Sequence, residues 1–189
     1  MVLLAPSPAF RRSFALLLVG LLGLALAGCG YNNVPTLEEK AKAAWGEVQN
    51  QYQRRADLIP NLVETVKGVA GQEQQVFLGI AEARKAYFQA STVDEKARAA
   101  GDLERTLSRL LMLQETYPQL RSNESFLKLQ DQLEGTENRL SVERKRYNDV
   151  VQALNTYIRQ PLGRLYAGIA GVDKAEYFEI TEAAREAPK

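Results

Sequence analysis

Residues 124–159 read ESFLKLQDQLEGTENRLSVERKRYNDVVQALNTYIR. Phe126, Leu129, Leu133, Glu137, Leu140, Arg144, Tyr147, Val151, Leu154 and Ile158 recur there at steps of three and four, which is the period of one helix face. Asn123 stands where an N-cap belongs. The spacing therefore predicts a single helix over residues 124–159, about 50 Å long at 1.5 Å per residue.

Upstream, the same period recurs. Thr36 and Glu39 have capping-box spacing, so a first helix is expected from near Leu37, carrying Ala41, Trp45, Val48, Tyr52, Ile59, Leu62 and Val66 inward. Pro60 falls inside it and removes the bond to the Ala56 carbonyl. The stripe keeps phase across the proline, so a kinked but continuous helix ending at Gly68 and Gly71 is expected. A second helix is predicted over residues 72–90 with Val76, Ile80, Ala83 and Tyr87 on one face. Thr92 and Glu95 repeat the capping box before a third, which carries Ala97, Ala100, Leu103, Leu107, Leu110 and Leu111 and stops near Tyr117-Pro118. Four amphipathic helices with short connections predict an all-α, antiparallel up-and-down four-helix bundle of long helices. Beyond Pro161 a short C-terminal cap is expected, Leu162, Leu165, Tyr166, Ile169, Tyr177 and Phe178 folding over one end. Residues 180–189 read as a disordered tail.

Three charges sit on the apolar stripes. Arg55 follows Tyr52 on the first helix, and Glu137 and Arg144 interrupt the fourth. With these helices antiparallel and matched end to end, Arg55 lies level with about Leu140, and an Arg-Glu-Arg layer satisfies charges at that depth. Asp57, Asn61, Asn138 and Asn148 are near enough in sequence to complete its hydrogen bonding. Such a layer fixes helix register or lines a polar pocket. Removing one member should destabilise the fold by about 3–5 kcal/mol.

Composition closes several chemistries. The chain has no histidine and one cysteine, Cys29. A disulfide within the chain is therefore excluded, and Cys29 lacks an imidazole to activate it as a nucleophile. Di-metal carboxylate bundles draw on Glu-x-x-His pairs, so neither a metal nor another cofactor is expected. Residues 1–28 hold two arginines and no acid, so the remaining 161 residues carry 22 basic against 23 acidic side chains. That balance does not mark a nucleic-acid binder.

Arg11 and Arg12 precede an apolar run over residues 14–27, too short to span the ~20-residue hydrocarbon core as a helix. Charged start, apolar run and small-residue site are the parts of a secretory signal. Leu26-Ala27-Gly28-Cys29 resembles the lipobox of bacterial lipoproteins. That resemblance implies a signal peptide over residues 1–28, cleavage before Cys29, a diacylglyceryl thioether and an acylated (palmitate-type) amino terminus. Residues 29–35 become the lipidated N-terminus and spacer, held in the bilayer by several acyl chains. An uncleaved signal anchor is the alternative.

The blocks RRADLIPNLV at 54–63 with Val66-Lys67-Gly68, Tyr117-Pro118, NESF at 123–126 with LEGTENR at 133–139, and Arg146-Tyr147-Asn148 with NTYIR at 155–159 follow in order. With Tyr177-Phe178-Glu179 they resemble the LemA family over a domain at residues 36–179. The resemblance implies a helical bundle tethered to a bacterial membrane and carries over no catalytic residue. It also implies a spanning anchor, where this chain has a lipobox, and a Phe-Pro after the fourth helix, where it has Gln160-Pro161. The expected function is a non-enzymatic helical adaptor or scaffold on the extracytoplasmic (periplasmic) side of the bacterial cell membrane or outer membrane. Gly30 in place of an aspartate favours the outer membrane by analogy with sorting rules. Its partners are the lipid bilayer, through Cys29, and other envelope proteins. The alternative is a ligand- or peptide-binding module with a polar pocket around Arg55, Glu137 and Arg144.

Overall fold

The computed structural model describes Leu17 and residues 32–180. Cys29, the signal expected over residues 1–28 and nearly all of the expected tail lie outside the described residues. The described chain is helical: α1 (Asn33–Ala70), α2 (Gln74–Gln89), α3 (Val93–Thr116), a 3-10 turn (Pro118–Ser122), α4 (Glu124–Arg159) and α5 (Pro161–Ala170). No strand occurs among the described residues. None of these helices is long and apolar enough to cross a membrane.

Two compact units divide the described chain. One joins the start of α1, up to Lys40, with residues 153–174; the other holds residues 41–152 and the segment from Ala175.

In the larger unit the stripes are buried as their spacing requires. Ile59, Leu62 and Val66 of α1, Phe77 and Ile80 of α2, Leu103, Leu107 and Leu110 of α3, and Phe126 and Leu133 of α4 share one apolar cluster. A second gathers Val48, Tyr52, Tyr87, Ala100, Leu140, Tyr147, Val151 and Phe178. On α2 the buried first-turn residue is Phe77, Val76 packing only at the edge. The bulkier aromatic takes the deeper site.

Local chemistry explains most boundaries. Thr92 accepts from the Glu95 N–H while Glu95 accepts from the Ser91 and Thr92 N–H groups, a complete capping box. These bonds to the charged form hold the Glu95 carboxyl down at about 2. Asn123 Oδ1 accepts from the Phe126 N–H at 3.0 Å and starts α4. The expected cap at Thr36 does not form: α1 begins at Asn33, and the Thr36 hydroxyl donates back to the Asn32 carbonyl at 2.7 Å. Pro35 is tolerated there because first-turn N–H groups have no intrahelical acceptor.

α1 continues through Pro60. The carbonyl that proline orphans is satisfied from another helix, since Arg84 Nε of α2 donates to the Ala56 oxygen at 3.0 Å.

Residues after Arg159 are more ordered than a loose cap. Pro161 opens α5, and Gly171 ends it at φ 67°, where the Val172 N–H reaches the Ala167 carbonyl at 3.0 Å. A Cβ on Gly163 would stand 1.9 Å from the Tyr157 carbonyl oxygen, so only glycine fits this joint between α4 and α5. Of the cap residues, Tyr166 and Phe178 are buried, but Leu162, Leu165, Ile169 and Tyr177 are exposed. The expectation that all six fold inward is corrected: on α5 only the face of Gly163, Tyr166 and Ala167 is buried.

Candidate functional site

Arg55, Glu137 and Arg144 meet, within the larger unit. Arg55 Nη1 lies 2.9 Å from Glu137 Oε2, and Arg144 Nη2 lies 2.7 Å from Glu137 Oε1. Glu104 of α3, which the sequence reading passed over, takes the other arm of Arg144 at 3.2 Å and accepts from the Tyr52 hydroxyl at 3.1 Å. Its signal was present: Ala100, Glu104, Leu107 and Leu111 also step by four, three and four. Arg55 further donates to the Leu133 carbonyl at 3.3 Å and to the Thr136 hydroxyl at 3.5 Å. Its level on α4 is thus nearer Thr136 than Leu140, about one turn off end-to-end matching.

Depth is uneven across the cluster. The side chains of Arg55, Arg144 and Glu104 are 9, 14 and 15% exposed, whereas Glu137 is 40% exposed. A fully buried layer is therefore corrected to one that reaches solvent along part of the Glu137 side chain, while the Oε2 that meets Arg55 stays buried. Burial pushes the Glu104 carboxyl up; Arg144 pulls it back and Glu137 adds to the rise. Burial, with Glu104 beside it, holds the Tyr52 hydroxyl well above the usual phenol range. Arg144 is disfavoured by burial, but the negative neighbours outweigh that and keep it charged.

The four expected helpers do not complete this bonding. Asp57 accepts from Gln53 at 2.8 Å on the surface, and Asn61 and Asn138 are exposed. Asn148 instead clamps the C-terminal segment, donating to the Phe178 carbonyl at 3.0 Å and accepting its N–H at 2.9 Å. Their polarity marked exposed helix turns and a clamp rather than the ion cluster.

Two hollows flank it. One of about 570 Å³ between α1 and α4 is lined by Arg54, Asp57, Lys128, Asp131, Thr136 and Arg139 among others, and reaches only Thr136 of the groups around Arg55. Another, of about 440 Å³, is lined by Arg144, Lys145, Asn148, Asp149, Phe178 and Glu179 among others.

The LemA family model matches residues 44–189, most of the chain and all of the ion cluster. The chain belongs to the LemA family. Magnetosome proteins MamQ 1 and MamQ 2 of Paramagnetospirillum magneticum are each 24% identical to this LemA-family chain over 175 residues, covering 79% of it and 64% of their own length. Magnetosome protein MamQ of Magnetospirillum gryphiswaldense is 24% identical over 174 residues, covering 78% and 64%. The match thus spans less than two thirds of each of these relatives.

Proposed function

We propose that this LemA-family chain is a membrane-anchored protein of the bacterial envelope. Its acylated Cys29 holds it in the bilayer, and its helical domain serves as a non-enzymatic adaptor for other envelope proteins. The observation that carries the adaptor reading is the charge balance of the cluster. Arg55 and Arg144 are matched by Glu137 and Glu104, so the charges tie α1, α3 and α4 to one another. Ions consumed in pairing fix helix register.

The same contacts support the antiparallel up-and-down order. Val48 and Tyr52 of α1 cluster with Tyr147 and Val151 of α4; further along α1, Ile59 and Leu62 cluster with Leu133 and Phe126, further back on α4. The lipobox resemblance supplies the means of attachment to a membrane.

A second reading is favoured by the hollow at Arg144, which joins a cluster arginine to Lys145 and the Asn148 clamp. There a peptide or small ligand carrying both charges would meet Arg144 and Lys145 with Asp149 and Glu179 beside them.

Two experiments test this. The intact mass of the membrane-extracted protein should show cleavage before Cys29 and added acyl chains, and Cys29→Ser should abolish both. An unmodified thiol on a chain beginning at Met1 overturns the anchor. Photo-crosslinking groups at exposed positions of α2 and α4 should give a discrete adduct with one envelope protein in living cells. If no position gives an adduct, and a peptide library binds wild type but not Lys145→Glu, the ligand reading replaces the adaptor.

A further inference from the structure

Leu162, Leu165 and Ile169 are 64, 57 and 64% exposed on one face of α5, while Gly163, Tyr166 and Ala167 on the other are buried. We propose that this stripe is a second membrane contact: α5 lies in the interface of an anionic lipid bilayer. The inference rests on the anchored reading above and names the surface that the anchored domain meets.

Three observations converge on lipid. The unit that holds α5 also holds the start of α1. Cys29 precedes Asn32 by three residues, so at ~3.3–3.6 Å per residue an acyl attachment there can stand no more than about 11 Å from that end. The α5 stripe therefore belongs to the unit that the tether enters. The described residues of that unit carry Lys40, Arg159, Arg164 and Lys174 against Glu38, Glu39 and Asp173, and the basic excess falls on residues 159–174, on and beside α5. A hollow of about 580 Å³ on the flank of α5 is lined by Arg164, Asp173 and Lys174 with Ile158 and Gly168 among others, suited to a phosphate headgroup.

Length and area decide how the stripe is used. α5 has 10 residues, about 15 Å of helix against a ~30 Å hydrocarbon core, so it can lie in the interface but not span it. Three aliphatic side chains offer roughly a few hundred Å² at most, short of the ~800 Å² per partner of a standard protein interface. A bilayer needs no shape-matched partner surface, and basic residues at its rim add attraction to anionic lipid.

The test uses the full chain with vesicles of three parts phosphatidylcholine to one part phosphatidylglycerol. An environment-sensitive fluorophore is carried on Leu165→Cys or, for comparison, on Lys85→Cys of α2. At position 165, emission should shift to the blue and be quenched several-fold more strongly by acyl-chain spin-labelled lipid than at 85. Adding Leu162→Ser and Ile169→Ser should remove that difference while the protein stays vesicle-bound through its anchor. Omitting phosphatidylglycerol should weaken it. Water-like emission at 165 on vesicle-bound protein overturns the proposal. So does a blue shift that needs no lipid and accompanies a doubling of solution mass, which assigns the stripe to a second copy. In the Cys29→Ser background the anchor is gone; a lipid-dependent blue shift at 165 then sustains the proposal even if the acyl reading fails, and its absence both there and on the anchored protein ends it.

Discussion

Ala56 is fully buried and its carbonyl faces Pro60, which has no N–H to give. Arg84 supplies that donor from α2, and its guanidinium also lies 5.3 Å from the Phe88 ring centre. A buried acceptor left unpaired costs about 1–3 kcal/mol, so Arg84→Met should lower stability by about that much in urea unfolding. In a Pro60→Ala background α1 can close its own bond, and the same substitution should lose about 1 kcal/mol less. Strict additivity in that cycle would show that the Arg84 bond carries nothing. The sequence announced the proline's missing donor; it held no sign of the replacement, because a contact 28 residues away belongs to tertiary packing. The ion cluster was more legible, since charges on an apolar stripe are visible in one dimension. Its exposure was not. With part of the Glu137 side chain in water, Glu137→Ala should destabilise by about 1–3 kcal/mol in chemical denaturation, less than the cost of breaking a fully buried pair.

At the scale of the element, ends and joints decide behaviour. Glu95 is held down at about 2 by the α3 cap, against an ordinary value near 4.5 in the unfolded chain. Its contribution is full above about pH 4.5 and is lost as pH falls through about 2, because the unfolded chain takes up the proton first. Glu95→Gln should therefore flatten the acid limb of stability across that window in urea titrations. Glu104, raised by burial, works with the opposite sign and loses stability as pH rises through its elevated value. Gly163 governs the joint between α4 and α5. Gly163→Ala drives a Cβ onto the Tyr157 carbonyl and should cost about 3 kcal/mol. Gly46→Ala, inside α1 with nothing within 4 Å, should instead gain about 0.5–1 kcal/mol. Thermal melts of the pair separate a required glycine from a dispensable one. Helix identities were legible from period alone, and the α3 and α4 starts from Thr92 and Asn123. The α1 start was not, because capping-box spacing at Thr36 competes with a helix that tolerates Pro35 in its first turn.

For the molecule as a whole, the apolar stripes made an all-helical chain readable, and the motif blocks made its family readable. A cap over residues 161–179 was expected, but the helix inside it and the clamp on its end escaped, because α5 is short and Gly-rich and the segment beyond it is held by single side chains rather than by a periodic face. Tyr147 donates to the Glu176 carbonyl at 2.8 Å, with burial lifting its hydroxyl to about 12, and Asn148 grips both backbone groups of Phe178. Asn148→Ala strands those groups and should release the segment, seen as faster amide exchange at residues 176–180 with α4 unchanged.

That clamp has an optical consequence. Trp45 is the sole tryptophan, and its ring centre lies 5.2 Å from Tyr147 and 5.5 Å from Phe178. The indole therefore has the docked segment as one wall of its solvent cage. Emission excited at the red edge of the protein band reports a single locus, half-shielded when Phe178 is seated and wetter when it leaves. The protein thus carries its own dye for the state of the segment around Phe178, readable in a cuvette without a label.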